Sequence, residues 1–90
     1  MNKARRTALK AVIASFEELE RLRHEIQERL EEIMDEEQES LDNLPESLQE
    51  SDRGQQIQEC IDTIDGIVDE LDAMDLDGMT DQLREIAWEG

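Results

Sequence analysis

The chain of 90 residues has 26 acidic and 9 basic side chains, which gives a formal net charge of −17. This length allows one small domain, and the charge argues against direct binding to nucleic acid or to an anionic membrane, because both require an excess of Lys and Arg. No stretch of about 18 apolar residues is present, and no uninterrupted apolar segment follows the basic N-terminus. We therefore expect neither a membrane span nor a signal peptide.

The charge is distributed unevenly along the chain. Residues 1–30 have 7 basic and 5 acidic side chains, whereas residues 31–90 have 2 basic and 21 acidic ones. This pattern predicts a mildly basic head and a strongly acidic body. The single cysteine, Cys60, excludes an intrachain disulfide, and we expect it to be a small buried apolar residue of a cytoplasmic protein.

The first half of the chain has the apolar spacing of a coiled-coil helix. The spacing is interrupted once, at Arg23, which we expect to set the register. No Gly or Pro occurs between Asn2 and Ser40, so the sequence predicts one helix over residues 3–39. The predicted seam consists of Leu9, Val12, Phe16, Leu19, Ile26, Leu30 and Ile33, widened by Ile13, Leu22 and Met34.

The second half repeats the pattern at Ile57, Ile61, Ile64, Val68 and Leu71. These residues predict a helix over residues 52–74, with Ser51 as its N-cap. Gly66 lies inside this helix, where it either lets a partner backbone approach closely or leaves room for a bulky neighbour such as Arg23 or His24.

The remaining segments predict a loop and a short terminal helix. Pro45 ends the first helix, so residues 40–51 form a loop, and its three leucines at positions 41, 44 and 48 cover the end of a hairpin. A break at residues 75–78 precedes a short helix over residues 80–88, for which Thr80 is the predicted cap.

Together these elements predict an all-α fold in a single domain of residues 1–90. The fold is a long antiparallel helical hairpin, coiled-coil-like, with a short C-terminal helix. The register pairs positions whose numbers sum to roughly 90, such as Leu30 with Ile61, and brings the basic head near acidic residues 77, 81, 85 and 89. Two helices leave one side of each apolar stripe uncovered. Either the short helix folds back over them, or a second copy completes a bundle as a homodimer.

No set of residues indicates catalysis, a cofactor or a metal site. His24 lacks the Glu-x-x-His spacing of ferritin-like metal sites, because Arg21 occupies the required position. The residues around Gly78 do not match a calcium-binding loop, since Ala73 and Arg84 stand where its first and twelfth ligands belong. We therefore expect a protein that is not an enzyme and holds no cofactor.

The acidic body contains two stripes of carboxylates at helical spacing. Neighbours within a stripe rise about 4.5–6 Å, so each stripe forms a row of negative charge that could enter a basic channel. A face that only keeps the protein soluble needs less charge, about 2–8 for a small domain. The stripes are Glu28, Glu32, Asp35 and Glu39 on the first helix, and Asp62, Asp65, Asp69 and Asp72 on the second.

The segment from Asp35 to Gly54 reads DEEQESLDNLPESLQESDRG. It resembles a group of small acidic helical proteins of phages and prophages that share a DEEQ…LDNLPESLQ…SDRG stretch. The resemblance implies a phage origin, and hence the host cytoplasm, and it implies no particular activity. We therefore expect a phage-type inhibitor or nucleic-acid mimic that binds a basic host protein through its acidic faces. The alternative is a structural or assembly factor that acts through its coiled-coil seam.

Overall fold

The computed structural model describes residues 1–88 and confirms the all-α class with a long helix, a hairpin and a short C-terminal helix. Four helices lie in this range, and no strand is found there. They are α1 (Lys3–Asp42), α2 (Glu46–Gln49), α3 (Asp52–Asp72) and α4 (Leu76–Ala87).

The helix ends follow from side chains that bind free backbone groups. The Asn2 side chain accepts a hydrogen bond of 2.8 Å from the Arg5 N–H, which caps α1. Asp75 caps α4 in the same way, because its side chain accepts a hydrogen bond of 3.0 Å from the Gly78 N–H. The prediction that Thr80 is the cap is wrong: Thr80 is buried inside α4, and its hydroxyl donates to the Leu76 carbonyl at 2.7 Å. The helix begins earlier because Asp75 already satisfies its first donors.

The chain divides into two compact units. Unit 1 consists of Met1–Glu25 and Met74–Gly90, and unit 2 consists of Ile26–Ala73. Helix α1 contributes its first part to unit 1 and the remainder to unit 2.

The covered positions of α1 agree only in part with the predicted seam. Leu9, Phe16 and Leu30 are covered, whereas Val12, Leu19, Ile26 and Ile33 are exposed. The covered positions alternate in steps of three and four, which is the spacing of a coiled coil. Ile13 is only 2% exposed, whereas Val12 and Leu19 are both 44% exposed. The covered positions, here called the buried seam, are Arg6, Leu9, Ile13, Phe16, Glu20 and Arg23 in unit 1, and Gln27, Leu30, Met34, Glu37 and Leu41 in unit 2. Because several of these are polar, counting apolar residues selects a neighbouring stripe instead.

In unit 1, the first part of α1 pairs with α4 in antiparallel orientation. Arg84 Nη2 donates a hydrogen bond of 2.6 Å to Glu17 Oε1, and Lys10 Nζ lies 4.8 Å from the centre of the Trp88 ring. The earlier residue of α1 thus contacts the later residue of α4, which shows that the two helices run in opposite directions. The predicted contact of the basic head with residue 89 lies outside the described residues.

In unit 2, the second part of α1 pairs with α3. Gln27 Nε2 donates to the Val68 carbonyl at 3.3 Å, and both residues are buried. Their numbers sum to 95 rather than to the predicted value of roughly 90. The register differs because α1 continues to Asp42 and α3 begins at Asp52, which moves the centre of the connection past Pro45.

The connection is closed by α2 and by Gly54. Gln49 Nε2 donates to the Leu44 carbonyl at 3.0 Å, which folds the segment onto itself. Gly54 is buried in the first turn of α3, against the backbone of Gln49. Ser51 stands at the N-cap position, but its hydroxyl bonds the Leu48 carbonyl instead of a free N–H of α3.

Candidate protein-binding surfaces

The eight carboxylates predicted from the sequence are all exposed, and all lie in unit 2. Six of them directly follow a residue that is covered in the helix pair. On α1 these are Glu28 and Asp35, and on α3 they are Asp62, Asp65, Asp69 and Asp72. In an antiparallel pair, the positions that follow the covered ones lie on one side of both helices. The two other carboxylates, Glu32 and Glu39, point away from α3 on the outer face of α1.

This side of unit 2, here called the acidic side, is more extensive than the predicted stripes. Glu31 and Asp42 follow Leu30 and Leu41 on α1 and belong to it as well. Spacing within one helix does not reveal them, because it groups Glu28 with Glu32 and Asp35 with Glu39 instead. Their position directly after a covered residue is the signal that identifies them.

Two glutamine side chains complete the acidic side. Gln38 Nε2 donates to Asp42 Oδ1 at 3.0 Å, and Gln58 Nε2 donates to Asp62 Oδ1 at 2.9 Å. Each bond joins residues four positions apart on one helix, so it orients the carboxylate without neutralising it. Because an amide donor is uncharged, neither bond adds a positive charge to the acidic side.

The charge separates sharply between the two units. Unit 2 contains 17 acidic and 2 basic residues, a formal charge of −15, whereas unit 1 contains 9 acidic and 7 basic residues, a formal charge of −2. Both basic residues of unit 2, Arg29 and Arg53, directly precede covered positions. They consequently lie opposite the acidic side, so neither arginine of unit 2 interrupts it.

Three arginines of unit 1, Arg21, Arg23 and Arg84, form ion pairs with nearby carboxylates. Arg23 Nε donates to Glu20 Oε2 at 2.9 Å within the buried seam, and this bond lowers the pKa of Glu20. On the surface, Arg21 donates a hydrogen bond to Glu18 and Arg84 donates one to Glu17, and these bonds raise the pKa values of the two arginines. Arg23 thus occupies the polar seam position that the sequence indicated, with a partner on its own helix.

The structure contradicts the expected environment of Cys60. Its side chain is exposed because it directly precedes the covered Ile61, beside an open groove that Ser40 and Arg53 also line. His24 is exposed on α1. Within residues 1–88, no three His, Cys, Asp or Glu side chains are grouped so that they could hold a metal ion. None of the helices in that range is long and apolar enough to cross a membrane.

No protein-family model matches the chain, and neither a curated protein nor a solved structure matches it.

Proposed function

We propose that this protein is a non-enzymatic interaction protein whose acidic side binds a basic protein and blocks the surface with which that partner binds nucleic acid. If the protein is of phage type, as its resemblance implies, it inhibits a host defence protein or mimics nucleic acid. The partner, a basic host protein of the cytoplasm, is defined by its positive charge.

The observation that carries the proposal is the concentration of charge in unit 2. A formal charge of −15 on 48 residues far exceeds the magnitude of about 2–8 that keeps a small domain soluble. Such a charge also opposes folding through self-repulsion. Unit 1 is also a pair of antiparallel helices, and its charge is only −2. A pair of helices in this chain therefore does not need the high negative charge of unit 2 in order to pack.

The geometry of the acidic side suits a partner that binds phosphates. Carboxylates three or four positions apart rise about 4.5–6 Å along each helix, which is in the same range of a few ångströms as the phosphate spacing of a nucleic-acid strand. Each helix presents a row of such groups: Glu28, Glu31 and Asp35 on α1, and Asp62, Asp65, Asp69 and Asp72 on α3. Electrostatic steering speeds the association of such a surface with a basic groove.

A capture experiment with matched variants tests this proposal. The full chain is immobilised, host lysate is applied at low salt, and captured proteins are eluted with rising salt. The test variant replaces Asp62, Asp65, Asp69 and Asp72 with Asn. The control variant removes the same number of charges from other exposed positions of unit 2, by replacing Glu36, Glu46, Glu59 and Glu70 with Gln.

We expect a basic, nucleic-acid-binding protein to be retained by the wild type and the control and lost from the test variant. The purified partner should then release a labelled oligonucleotide when the wild-type chain is added. Equal capture by the test variant, or a captured partner that still binds its oligonucleotide, would contradict the proposal. Circular dichroism confirms that both variants are folded.

The second candidate is a structural or assembly factor that acts through apolar contacts. It is favoured by the exposed apolar residues that directly precede covered positions, among them Ile26, Ile33 and Ile67 in unit 2. This candidate predicts a higher oligomer in light scattering and little effect of the four Asp→Asn substitutions. The first candidate predicts lost binding by the same variant, so one set of proteins separates the two.

A further inference from the structure

On one side of unit 1, eight exposed positions that directly precede a covered residue have uncharged side chains. Charged side chains occur at such positions only at the helix ends, at Arg5 on α1 and at Asp75 and Asp77 by the start of α4. In a chain in which 39% of residues are charged, this leaves an uncharged stretch along the middle of the helix pair. We call it the uncharged side. Its positions are Ala8, Val12, Ser15, Leu19 and Leu22 on α1, and Met79, Gln82 and Ile86 on α4.

The register of unit 1 places both rows on the same side. Glu17 directly follows Phe16 of the buried seam, Arg84 directly follows the covered Leu83 of α4, and Glu17 and Arg84 contact each other. Positions that directly precede seam residues therefore meet on the opposite side of the antiparallel pair. Val12 precedes Ile13 and Ile86 precedes Ala87, so both rows lie there.

The row on α1 has the pattern of a second coiled-coil seam. Its residues are spaced 4, 3, 4 and 3, with larger apolar side chains at Val12, Leu19 and Leu22. Ala8 and Ser15 alternate with them and are small enough for another helix to approach closely. The hydroxyl of Ser15 bonds the Ala11 carbonyl at 3.3 Å, so it is already satisfied within its own helix.

The occupant of this side follows from charge. A basic partner is attracted to unit 2, which has a charge of −15, and finds no carboxylate at the eight positions of the uncharged side. A second copy of the chain is repelled by unit 2 but can approach through unit 1, whose charge is only −2. Two packed helices also make a single layer, and stable domains bury their apolar faces against a further layer.

We propose that a second copy of this chain packs against the uncharged side of unit 1. The contact is isologous, because the same side of both copies forms it, and the two α1–α4 pairs together make a four-helix bundle. The acidic side of unit 2 takes no part in this contact. A strictly monomeric chain would therefore leave the proposed binding of a basic partner standing.

The test measures the oligomeric state of the full chain by sedimentation across the micromolar range. In the test variant, Val12 and Leu19 are both replaced by Glu, which brings like charges together in the contact. In the control, Ala11 and Ala14 are both replaced by Glu, which adds the same charge to exposed positions of α1 outside the uncharged side. We expect a dimer for the wild type and the control, and a monomer for the test variant.

Charge complementation keeps the test decisive if a variant alone is poorly folded. A second variant replaces Val12 and Leu19 with Lys, and it is mixed with the Glu variant. We expect each variant alone to be monomeric and the mixture to form a one-to-one dimer. A wild type that stays monomeric at every concentration would overturn the proposal, and so would a dimer that persists in the Glu variant.

Discussion

Gly54 lies against Gln49 so closely that a Cβ atom on it would be 2.6 Å from the carbonyl carbon of Gln49 and 2.9 Å from the carbonyl oxygen of Leu48. Replacing Gly54 with Ala therefore forces the backbone of the connection to move. We expect Gly54→Ala to lower the free energy of unfolding by about 1–3 kcal/mol, as overpacking typically does. Urea unfolding followed by circular dichroism measures the loss. Unchanged stability would mean that the connection is not tightly packed.

Gly66 lies in the same helix and gives the opposite prediction. Among the described residues, no atom beyond its chain neighbours and the adjacent backbone of α3 lies within 4 Å of the place that a Cβ of residue 66 would occupy, so the expectation that Gly66 makes room for a bulky neighbour is wrong. We expect Gly66→Ala to raise the free energy of unfolding by about 1 kcal/mol, because Ala loses less backbone entropy in a helix. The same urea experiment measures both glycines, and a loss at Gly66 would indicate an unseen close contact.

Ile13 and Val12 are neighbours in sequence but differ in burial. Ile13→Ala removes a side chain that is 2% exposed, and we expect it to lower the free energy of unfolding by about 2–5 kcal/mol. Val12→Ala should lower the free energy of unfolding of the monomer by only about 0.5 kcal/mol, because Val12 is half exposed. Equal losses at the two positions would favour the seam that the sequence predicts.

The Glu20–Arg23 pair makes stability depend on pH. The hydrogen bond from Arg23 lowers the pKa of Glu20 in the folded protein, so the unfolded chain binds this proton more readily. The resulting stabilisation is fully present above the ordinary pKa of 4.5 and is lost as the pH falls through the lower folded-state value. We expect the wild type to be more stable than Glu20→Gln at neutral pH, and this difference to shrink at about pH 3.

Comparing the two proteins at each pH cancels the general loss of charge repulsion on acidification. Glu18→Gln serves as the control, since Glu18 pairs with Arg21 on the exposed surface, where ion pairs contribute little. A wild-type advantage that is the same at both pH values would show that the charge of Glu20 is not what stabilises the seam.

Lys10 and Trp88 join the two helices of unit 1 through a cation–π contact of 4.8 Å. Lys10→Met retains an apolar side chain but removes the charge. We expect it to lower the free energy of unfolding by about 0.5–1 kcal/mol, because Trp88 is largely exposed. Trp88 is the only tryptophan, so its fluorescence follows the unfolding of unit 1 directly. Lys3→Met is the control, and an equal effect there would exclude a specific contact.

The helices were predictable because strong helix formers fill long stretches without Gly or Pro. The buried seam was predictable only in part, because it also contains Glu20 and Gln27, and hydropathy assigns such residues to the surface. Glu20 and Arg23 tolerate partial burial because they bond each other, and Gln27 because it bonds the Val68 carbonyl. These bonds depend on rotamers and on the partner helix, neither of which can be read from spacing alone.

The candidate surface was predictable in part for a related reason. Carboxylates such as Asp62 and Asp69 are exposed whichever apolar stripe is chosen, so an error in the seam does not move them inside. Which carboxylates of α1 and α3 share one side of the pair cannot be predicted in this way, because it depends on the true register of the two helices. Glu31 could therefore be assigned only once the contact between Gln27 and Val68 was known.

The carboxylates of unit 2 also determine which small ions surround the protein. A charge of −15 on one small unit gathers a cloud of monovalent cations, confined to about 8 Å at physiological salt. A basic partner that docks on the acidic side displaces part of this cloud into the solvent. The gain in ion entropy drives such an association, so we expect calorimetry to record little heat and an affinity that falls steeply with salt.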